Sequence, residues 1–216
     1  MARLRVASLI SGRGSNMAAL VAAASAPDYP AEIALVLANV PGAGGLAVAA
    51  EHGIANETLD HRGFADRTAF DAALDARLRH HEIEFVCLAG FMRLLTAGFV
   101  DKWRNRMLNI HPSLLPAYPG LDTHKRALAD GVRVAGCTVH FVRAKMDVGP
   151  IVAQAAVPVL QGDDEDALAA RVLKAEHALY PHVLRLVASG AATVEGEQVR
   201  FARSFAAPAI LFNPPL

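Results

Sequence analysis

An amide and an imidazole stand two residues apart in the run Asn109-Ile-His-Pro-Ser-Leu-Leu-Pro116. In an extended segment residues i and i+2 face the same side, so Asn109 and His111 would project together. The Asn amide can donate to a developing oxyanion, and the His can add to that as imidazolium or deliver a proton to a leaving nitrogen. The pair therefore suits chemistry at a carbonyl group. The alternative is a histidine that is satisfied by neighbouring backbone.

A glycine-containing loop, Ser11-Gly-Arg-Gly-Ser-Asn16, separates a short apolar run from an Ala-rich segment. Glycines let the backbone approach an anion closely, and the N-terminus of a following helix adds a positive partial charge. The loop is neither the dinucleotide fingerprint, because Met17 stands where its third glycine would fall, nor a P-loop, because it lacks Gly-Lys-Ser/Thr. It predicts a phosphate cradle, with a tight turn capped by Asn or Ser as the alternative.

A single carboxylate, Asp147, lies in the turn Met146-Asp-Val-Gly-Pro150. A carboxylate in a Gly-Pro turn usually caps its own backbone. If the turn folds back over His111, Asp147 would hydrogen-bond the imidazole, fix its tautomer and raise its pKa. The sequence alone leaves both possibilities open.

Alternating strand-like and helix-like segments must position these residues. Apolar runs predict strands at 4–10, 33–37, 54–59, 85–88 and 107–110, and helical periodicity predicts helices at 16–24, up to about 53, at 67–81 and around 99–104. This alternation is typical of a parallel sheet with crossover helices. Asn109 and His111 then fall where the fifth strand ends, and ligands of open α/β sheets bind at the carboxyl ends of strands.

The pattern changes after Gly120. A short helix is predicted at 122–130, strands at 134–142 and 151–159, and a long helix at 165–189 with an acidic start that suits its dipole. The loop at 145–150 is too short for a parallel crossover, so the two strands should form a hairpin. We therefore expect an open, mostly parallel, Rossmann-like α/β sheet with helices on both faces and antiparallel strands in the second half. Residues 203–216 are expected to form an extended, proline-rich tail.

Composition bounds the class of protein. The 216 residues carry 21 basic and 21 acidic side chains, so no basic excess favours nucleic acid or an anionic membrane. Apolar residues make up 53% and charged residues 19%, which predicts one folded domain with a sizeable core. Cys87 and Cys137 lie inside apolar runs and are expected to be free buried thiols. No run approaches the ~20 apolar residues of a membrane span, and we expect a cytoplasmic protein.

Five motifs in order resemble the phosphoribosylglycinamide formyltransferase family of purine biosynthesis. They are Ser11-Gly-Arg-Gly-Ser-Asn16, Leu88-Ala-Gly-Phe-Met-Arg93, Asn109-Ile-His-Pro-Ser-Leu-Leu-Pro116, Asp147-Val-Gly-Pro150 and Glu176-His-Ala-Leu-Tyr-Pro181. The likeness spans about residues 4 to 185. It implies a single formyltransferase domain over 1–216, with a phosphate-binding half at about 1–105 and a catalytic and folate-binding half at about 106–200.

The resemblance also implies a reaction and a set of roles. The formyl group of 10-formyltetrahydrofolate, a cosubstrate, would pass to the amine of glycinamide ribonucleotide without a metal. Asn109, His111 and Asp147 would be catalytic, with Asp147 raising the pKa of His111. The substrate-binding residues would be Gly14, Ser15, Asn16 and Glu176, which hold the phosphate and the ribose hydroxyls. Folate would contact Arg67, Met92, Arg93, Leu94, Leu95 and Asn109. The protein would be a monomer or a homodimer that binds small molecules only.

Two positions depart from the family pattern, and other functions need comparison. Arg13 stands where many relatives carry a small or amide residue, and Val40 follows Asn39 where a basic residue is expected.

Methionyl-tRNA formyltransferase and formyltetrahydrofolate hydrolase share the Asn-x-His motif but normally carry an added domain. A binding module without catalysis would be expected to lose Asn109, His111 or Asp147, and all three are present. The sequence favours the ribonucleotide formyltransferase.

Overall fold

One sheet of seven strands forms the centre of the protein. The computed structural model describes residues 2–204 and Asn213. The strands of this sheet are β1 (Leu4–Ile10), β2 (Ala31–Ala38), β3 (Ala55–Thr58), β4 (Phe85–Leu88), β5 (Met107–His111), β6 (Val134–Phe141) and β7 (Ile151–Pro158). Their order in the sheet is β3-β2-β1-β4-β5-β6-β7.

The sheet is parallel from β3 to β5 and antiparallel from β5 to β7. The short connection between β6 and β7 explains their antiparallel pairing, since it can form only a hairpin. Strand order reverses between β1 and β4, because β2 and β3 lie on one side of β1 and the later strands on the other. Ligands of open α/β sheets bind beside such a reversal, at the carboxyl ends of the strands.

Six α-helices of the described residues cover the sheet on both faces. They are α1 (Ser15–Ala24), α2 (Gly45–Glu51), α3 (Arg67–His80), α4 (Ala97–Lys102), α5 (Thr123–Ala129) and α6 (Glu165–Ala188). Residues of β1 alternate between two cores: Val6 and Ile10 pack with α1 and α6, whereas Ala7 and Leu9 pack with α3 and α4. Burial on both faces explains why the buried part of β1, Val6 to Ile10, is apolar apart from Ser8 rather than alternating. The predicted fold class is confirmed.

The long helix α6 is fixed at its start and near its middle. Asp164 caps it by accepting a hydrogen bond from the Ala167 N–H at 2.8 Å, and the first turn is acidic, as the sequence predicted. The Tyr180 hydroxyl lies 3.1 Å from the carbonyl oxygens of Leu88 and Leu108, which belong to adjacent strands of the sheet. These contacts fix the position of α6 along the sheet, and with it the position of Glu176, which lies one helical turn before Tyr180.

The predicted elements up to residue 189 are confirmed, with ends shifted by a few residues. One hairpin is new: β8 (Ala192–Glu195) pairs with β9 (Gln198–Phe201) across a turn at Gly196. The tail predicted at 203–216 lies outside the described residues, apart from Arg203, Ser204 and Asn213. Cys87 and Cys137 are buried and unpaired, as predicted. Within residues 2–204 no helix has the length and apolar character needed to span a membrane.

A glycine in β6 lets the sheet close beside the candidate site. A Cβ atom at Gly136 would lie 2.0 Å from the Ala155 carbonyl oxygen and 2.9 Å from a methyl group of Leu114. Gly136→Ala should therefore force β6 and β7 apart and lower the free energy of unfolding by about 1–3 kcal/mol. Chemical denaturation measures the change.

Gly98→Ala is the matched control for this substitution. Gly98 lies in α4, and a Cβ there would have no neighbour within 4 Å. Alanine is the better helix former, so this variant should be unchanged or more stable by about 0.5–1 kcal/mol. Equal stability of the Gly136→Ala and Gly98→Ala variants would contradict the steric account.

Candidate active site

Three of the predicted site motifs lie at the carboxyl edge of the parallel strands. The loop after β1 carries Ser11 to Gly14, the loop after β4 carries Met92 to Leu95, and β5 ends at His111. The first two loops flank the reversal of strand order. The fold therefore directs three sequence-distant motifs to one side of the molecule.

The glycine loop leads directly into α1. Gly14 is the N-cap residue, has φ 71°, and provides no side-chain cap for the first turn. A Cβ at Gly14 would lie 2.9 Å from the Cα of Gly45 at the start of α2, so only glycine permits this approach. The backbone N–H groups of the first turn of α1 are thus not used by a capping side chain, which makes this helix N-terminus able to bind an anion.

Asn16, in the first turn of α1, contacts α6. Its Nδ2 donates to Glu176 Oε2 at 2.7 Å, although 160 positions separate the two residues. Glu176 is buried, and burial raises the pKa of its carboxyl, an effect that the bond from Asn16 partly opposes. The Oδ1 atom of Asn16 is buried without a hydrogen-bond partner in the described part of the chain. A carboxylate and an amide oxygen thus offer acceptors beside the glycine loop.

Ser11 joins the glycine loop to the loop after β4. Its N–H donates to the Gly90 carbonyl at 3.1 Å, and its hydroxyl accepts from the Met92 N–H at 2.8 Å. The same hydroxyl donates to Asn39 Oδ1 at 2.5 Å, at the end of β2. These bonds hold the loops on the two sides of the strand-order reversal in a fixed relation.

Asn109 and His111 are two residues apart in β5 and face the same side of the sheet, as their spacing predicted. Across the antiparallel ladder, Asn109 pairs with His140 and His111 pairs with Thr138 of β6. His111 is buried, and its Nε2 lies 2.9 Å from the Tyr118 carbonyl oxygen. A carbonyl oxygen only accepts, so Nε2 carries a proton and Nδ1 is the nitrogen that can gain or lose one.

The turn that carries Asp147 folds back over His111. Of the two possibilities that the sequence left open, the structure shows the contact with the imidazole. Its Oδ1 lies 3.5 Å from His111 Nδ1, and its Oδ2 accepts the Gly120 N–H at 2.7 Å. The first distance is that of an ion-pair contact rather than a short hydrogen bond. Gly149 permits the turn, since a Cβ there would lie 2.0 Å from the Phe141 carbonyl oxygen. The carboxylate therefore lies against the imidazole ring at ion-pair distance.

The residues predicted to contact folate differ in how exposed their side chains are. Met92 and Leu94 are 68% and 55% exposed, whereas Leu95 packs against the core cluster that contains Phe70. Arg93 stacks its guanidinium on the Phe70 ring, 4.6 Å from the centroid. Arg67 is exposed at the first position of α3. Exposure of two large apolar side chains beside the site distinguishes them from ordinary core residues.

Three partners of the site were not singled out from the sequence. The Tyr118 carbonyl and the Gly120 N–H are backbone groups and leave no signal in residue type. His140, in contrast, is a histidine inside the apolar run Cys137-Thr-Val-His-Phe141, and that placement was a usable signal. Within the described residues, no three or more His, Cys, Asp or Glu side chains group as potential metal ligands.

Comparison with known proteins gives the class of this one. The model of the formyl transferase family matches residues 4–184. The chain therefore belongs to the formyl transferase family.

Individual relatives narrow the comparison. The chain is 44% identical over 187 residues to phosphoribosylglycinamide formyltransferase of Escherichia coli, covering 87% of this chain and 88% of that protein. It is 49% identical over 197 residues to the trifunctional purine biosynthetic protein adenosine-3 of Drosophila melanogaster. That match covers 90% of this chain but only 15% of the trifunctional protein.

A solved structure has the same fold. Glycinamide ribonucleotide transformylase 1 from Symbiobacterium toebii superposes with a TM-score of 0.90 at 46% identity, covering 92% of this chain and 94% of that one. The mostly parallel sheet with antiparallel final strands is thus shared with a transformylase.

Proposed function

We propose that this protein transfers the formyl group of 10-formyltetrahydrofolate to the amine of glycinamide ribonucleotide in purine biosynthesis. The observation that carries the proposal is the placement of Asn109 and His111 on one face of β5, with Asp147 3.5 Å from the imidazole. The named relatives support the choice of substrates, and the described contacts support a role for each residue.

The nucleotide would bind between α1 and α6. The N–H groups of Gly14, Ser15 and Asn16 would hold the phosphate at the N-terminus of α1, where the helix dipole favours an anion. Glu176 and the Oδ1 atom of Asn16, which has no hydrogen-bond partner among the described residues, would accept hydrogen bonds from the ribose hydroxyls. The bond from Asn16 Nδ2 to Glu176 holds both side chains in place. Fixing the phosphate at one end places the amine at a set distance from β5.

Folate would bind against the loop after β4. Met92 and Leu94 present apolar surface, and the turns on the other side of the site add exposed Leu121, Met146 and Val148. Flat aromatic rings are suited to such a surface, because burying it removes apolar area from water. Arg67 and Arg93 supply positive charge toward the carboxylates of the glutamate end, Leu95 anchors the loop to the core, and Asn109 contacts the formyl oxygen.

The chemistry would proceed through a tetrahedral intermediate. The amine nitrogen bonds to the formyl carbon, the carbonyl electrons move to oxygen, and Asn109 Nδ2 and the protonated His111 stabilise that oxygen. The bond from carbon to N10 then breaks as His111 protonates N10, and the proton lost by the amine restores the ring. Asp147 would lie beside the ring as a carboxylate during these steps, 3.5 Å from His111 Nδ1. No step of this scheme uses a metal, and the partners are small molecules, with the protein a monomer or homodimer.

The test is formyl transfer by the purified protein with three acceptors in parallel. We expect turnover of 10-formyltetrahydrofolate with glycinamide ribonucleotide and little with water or methionyl-tRNA. Equal release of formate without the ribonucleotide would favour a hydrolase, and transfer to the tRNA would favour the other relative. Tight folate binding without turnover of any acceptor would indicate a binding module.

A further inference from the structure

A buried histidine of β6 lies directly opposite Asn109. The antiparallel register pairs Asn109 with His140, so both side chains project from the same face of the sheet. The Asn109 Nδ2 and His140 Nε2 atoms are 3.2 Å apart. His140 is 2% exposed, so solvent does not compete for this contact.

The other ring nitrogen determines which partner donates. His140 Nδ1 lies 3.0 Å from the carbonyl oxygen of Phe141, which can only accept. Nδ1 therefore carries the proton, and in a neutral ring Nε2 presents a lone pair. Only the amide nitrogen of Asn109 satisfies that lone pair, because the amide oxygen would repel it.

The surroundings keep this ring neutral. Burial lowers the pKa of His140 below its ordinary value, and the nearby His111 acts in the same direction. The Phe141 carbonyl and Asp147 oppose the shift without reversing it. On the remaining side, the residue of β7 paired with His140 is Ile151, which carries no charge.

We propose that His140 is a positioning residue that fixes the orientation of the Asn109 amide. An asparagine side-chain amide can flip, exchanging its oxygen and nitrogen, when no hydrogen-bond partner distinguishes the two atoms. Here the Nε2 lone pair holds one N–H of Asn109, which leaves the second N–H for the reacting oxygen. This inference rests on the proposed function, in which Asn109 stabilises the oxyanion.

The first experiment compares two variants in the formyl transfer assay. His140→Leu removes the acceptor, and we expect kcat to fall about tenfold or more with KM for both substrates nearly unchanged. His140→Gln can place an amide oxygen near the position of Nε2, so it should recover most of that loss. A loss in both variants alike would overturn the proposal in favour of a packing role.

The second experiment places His140→Leu in the Asn109→Ala background. If His140 acts through the Asn109 amide, the His140→Leu substitution should lower kcat by no more than about twofold in the Asn109→Ala background. The reason is that the effects of two interacting residues are non-additive. The same tenfold loss in both backgrounds would overturn the proposal. Val139→Ala, a buried change on the opposite face of β6, controls for general loosening and should give the same modest effect in both backgrounds.

An NMR measurement separates this inference from the proposed function. The ¹⁵N spectrum of the wild-type protein near pH 7 should show His140 as a neutral ring protonated on Nδ1. The Asn109 side-chain amide resonances should shift in His140→Leu. A ring protonated on Nε2, or charged, would overturn the proposal whether or not the protein transfers formyl groups. Absence of formyl transfer by the wild-type protein would instead count against the proposed function.

Discussion

His111→Ala is expected to lower kcat by at least about 10²-fold while binding of glycinamide ribonucleotide is largely kept. In the proposed mechanism the imidazole would both stabilise the oxyanion and protonate N10, and loss of a general acid costs about 10²–10⁴-fold. The ribonucleotide phosphate would be held at α1, which is a separate element from β5. Steady-state kinetics and calorimetric binding of the ribonucleotide measure the two quantities separately.

His80→Ala is the matched control for this prediction. His80 is exposed at the C-terminal end of α3, and crossover helices end at the amino edge of a parallel sheet, away from the site. This variant should keep the wild-type kcat. Unchanged turnover in His111→Ala would refute the catalytic role of His111, and weakened ribonucleotide binding with unchanged kcat would assign it to binding instead.

Asn109→Ala is expected to lower kcat by about 10²–10³-fold, the range seen when one oxyanion donor is removed. The amide is oriented by His140 before substrate binds, so its donor would act mainly on the charge that develops during the reaction. KM for the ribonucleotide should therefore change little. The measurement is the same pair of kinetic and binding assays.

Asn56→Ala controls for the loss of an amide elsewhere. Asn56 is exposed on β3, at the opposite edge of the sheet from β5. It should retain wild-type kinetics. If Asn109→Ala raised KM without lowering kcat, its amide would bind the ground state and transition state equally, and the oxyanion role would be wrong.

Much of the fold follows from local signals in the sequence. Apolar runs bounded by glycine and proline marked the strands of the main sheet, and the short link at 145–150 predicted the antiparallel hairpin of β6 and β7. Asp164 and the acidic residues after it marked the start of α6. Each signal is local, since it depends on neighbouring residues rather than on the rest of the fold.

The hairpin of β8 and β9 was missed for a physical reason. Its strands have four residues each and are mostly half-buried or exposed, so the alternation of apolar residues is weak. The turn at Glu195-Gly196-Glu197 was the available signal. Glu197 accepts hydrogen bonds from Arg104 and Arg143, which are contacts that no local pattern encodes.

The sequence predicted which residues form the candidate site better than it predicted the contacts between them. The i, i+2 spacing placed Asn109 and His111 on one face, but the register that pairs Asn109 with His140 depends on how β5 meets β6. The approach of Asp147 to His111 likewise depends on a turn folding back, which the sequence allowed without requiring. Long-range geometry of this kind comes from tertiary packing.

A crystal structure with glycinamide ribonucleotide and a stable folate analogue, whose carbonyl cannot be transferred, would show where both substrates bind. We expect the phosphate on the N–H groups of Gly14, Ser15 and Asn16. We also expect the analogue's carbonyl oxygen within about 3 Å of Asn109 Nδ2 and near His111 Nδ1. A phosphate bound away from the N-terminus of α1, or a carbonyl that reaches neither side chain, would show that the proposed roles are wrong.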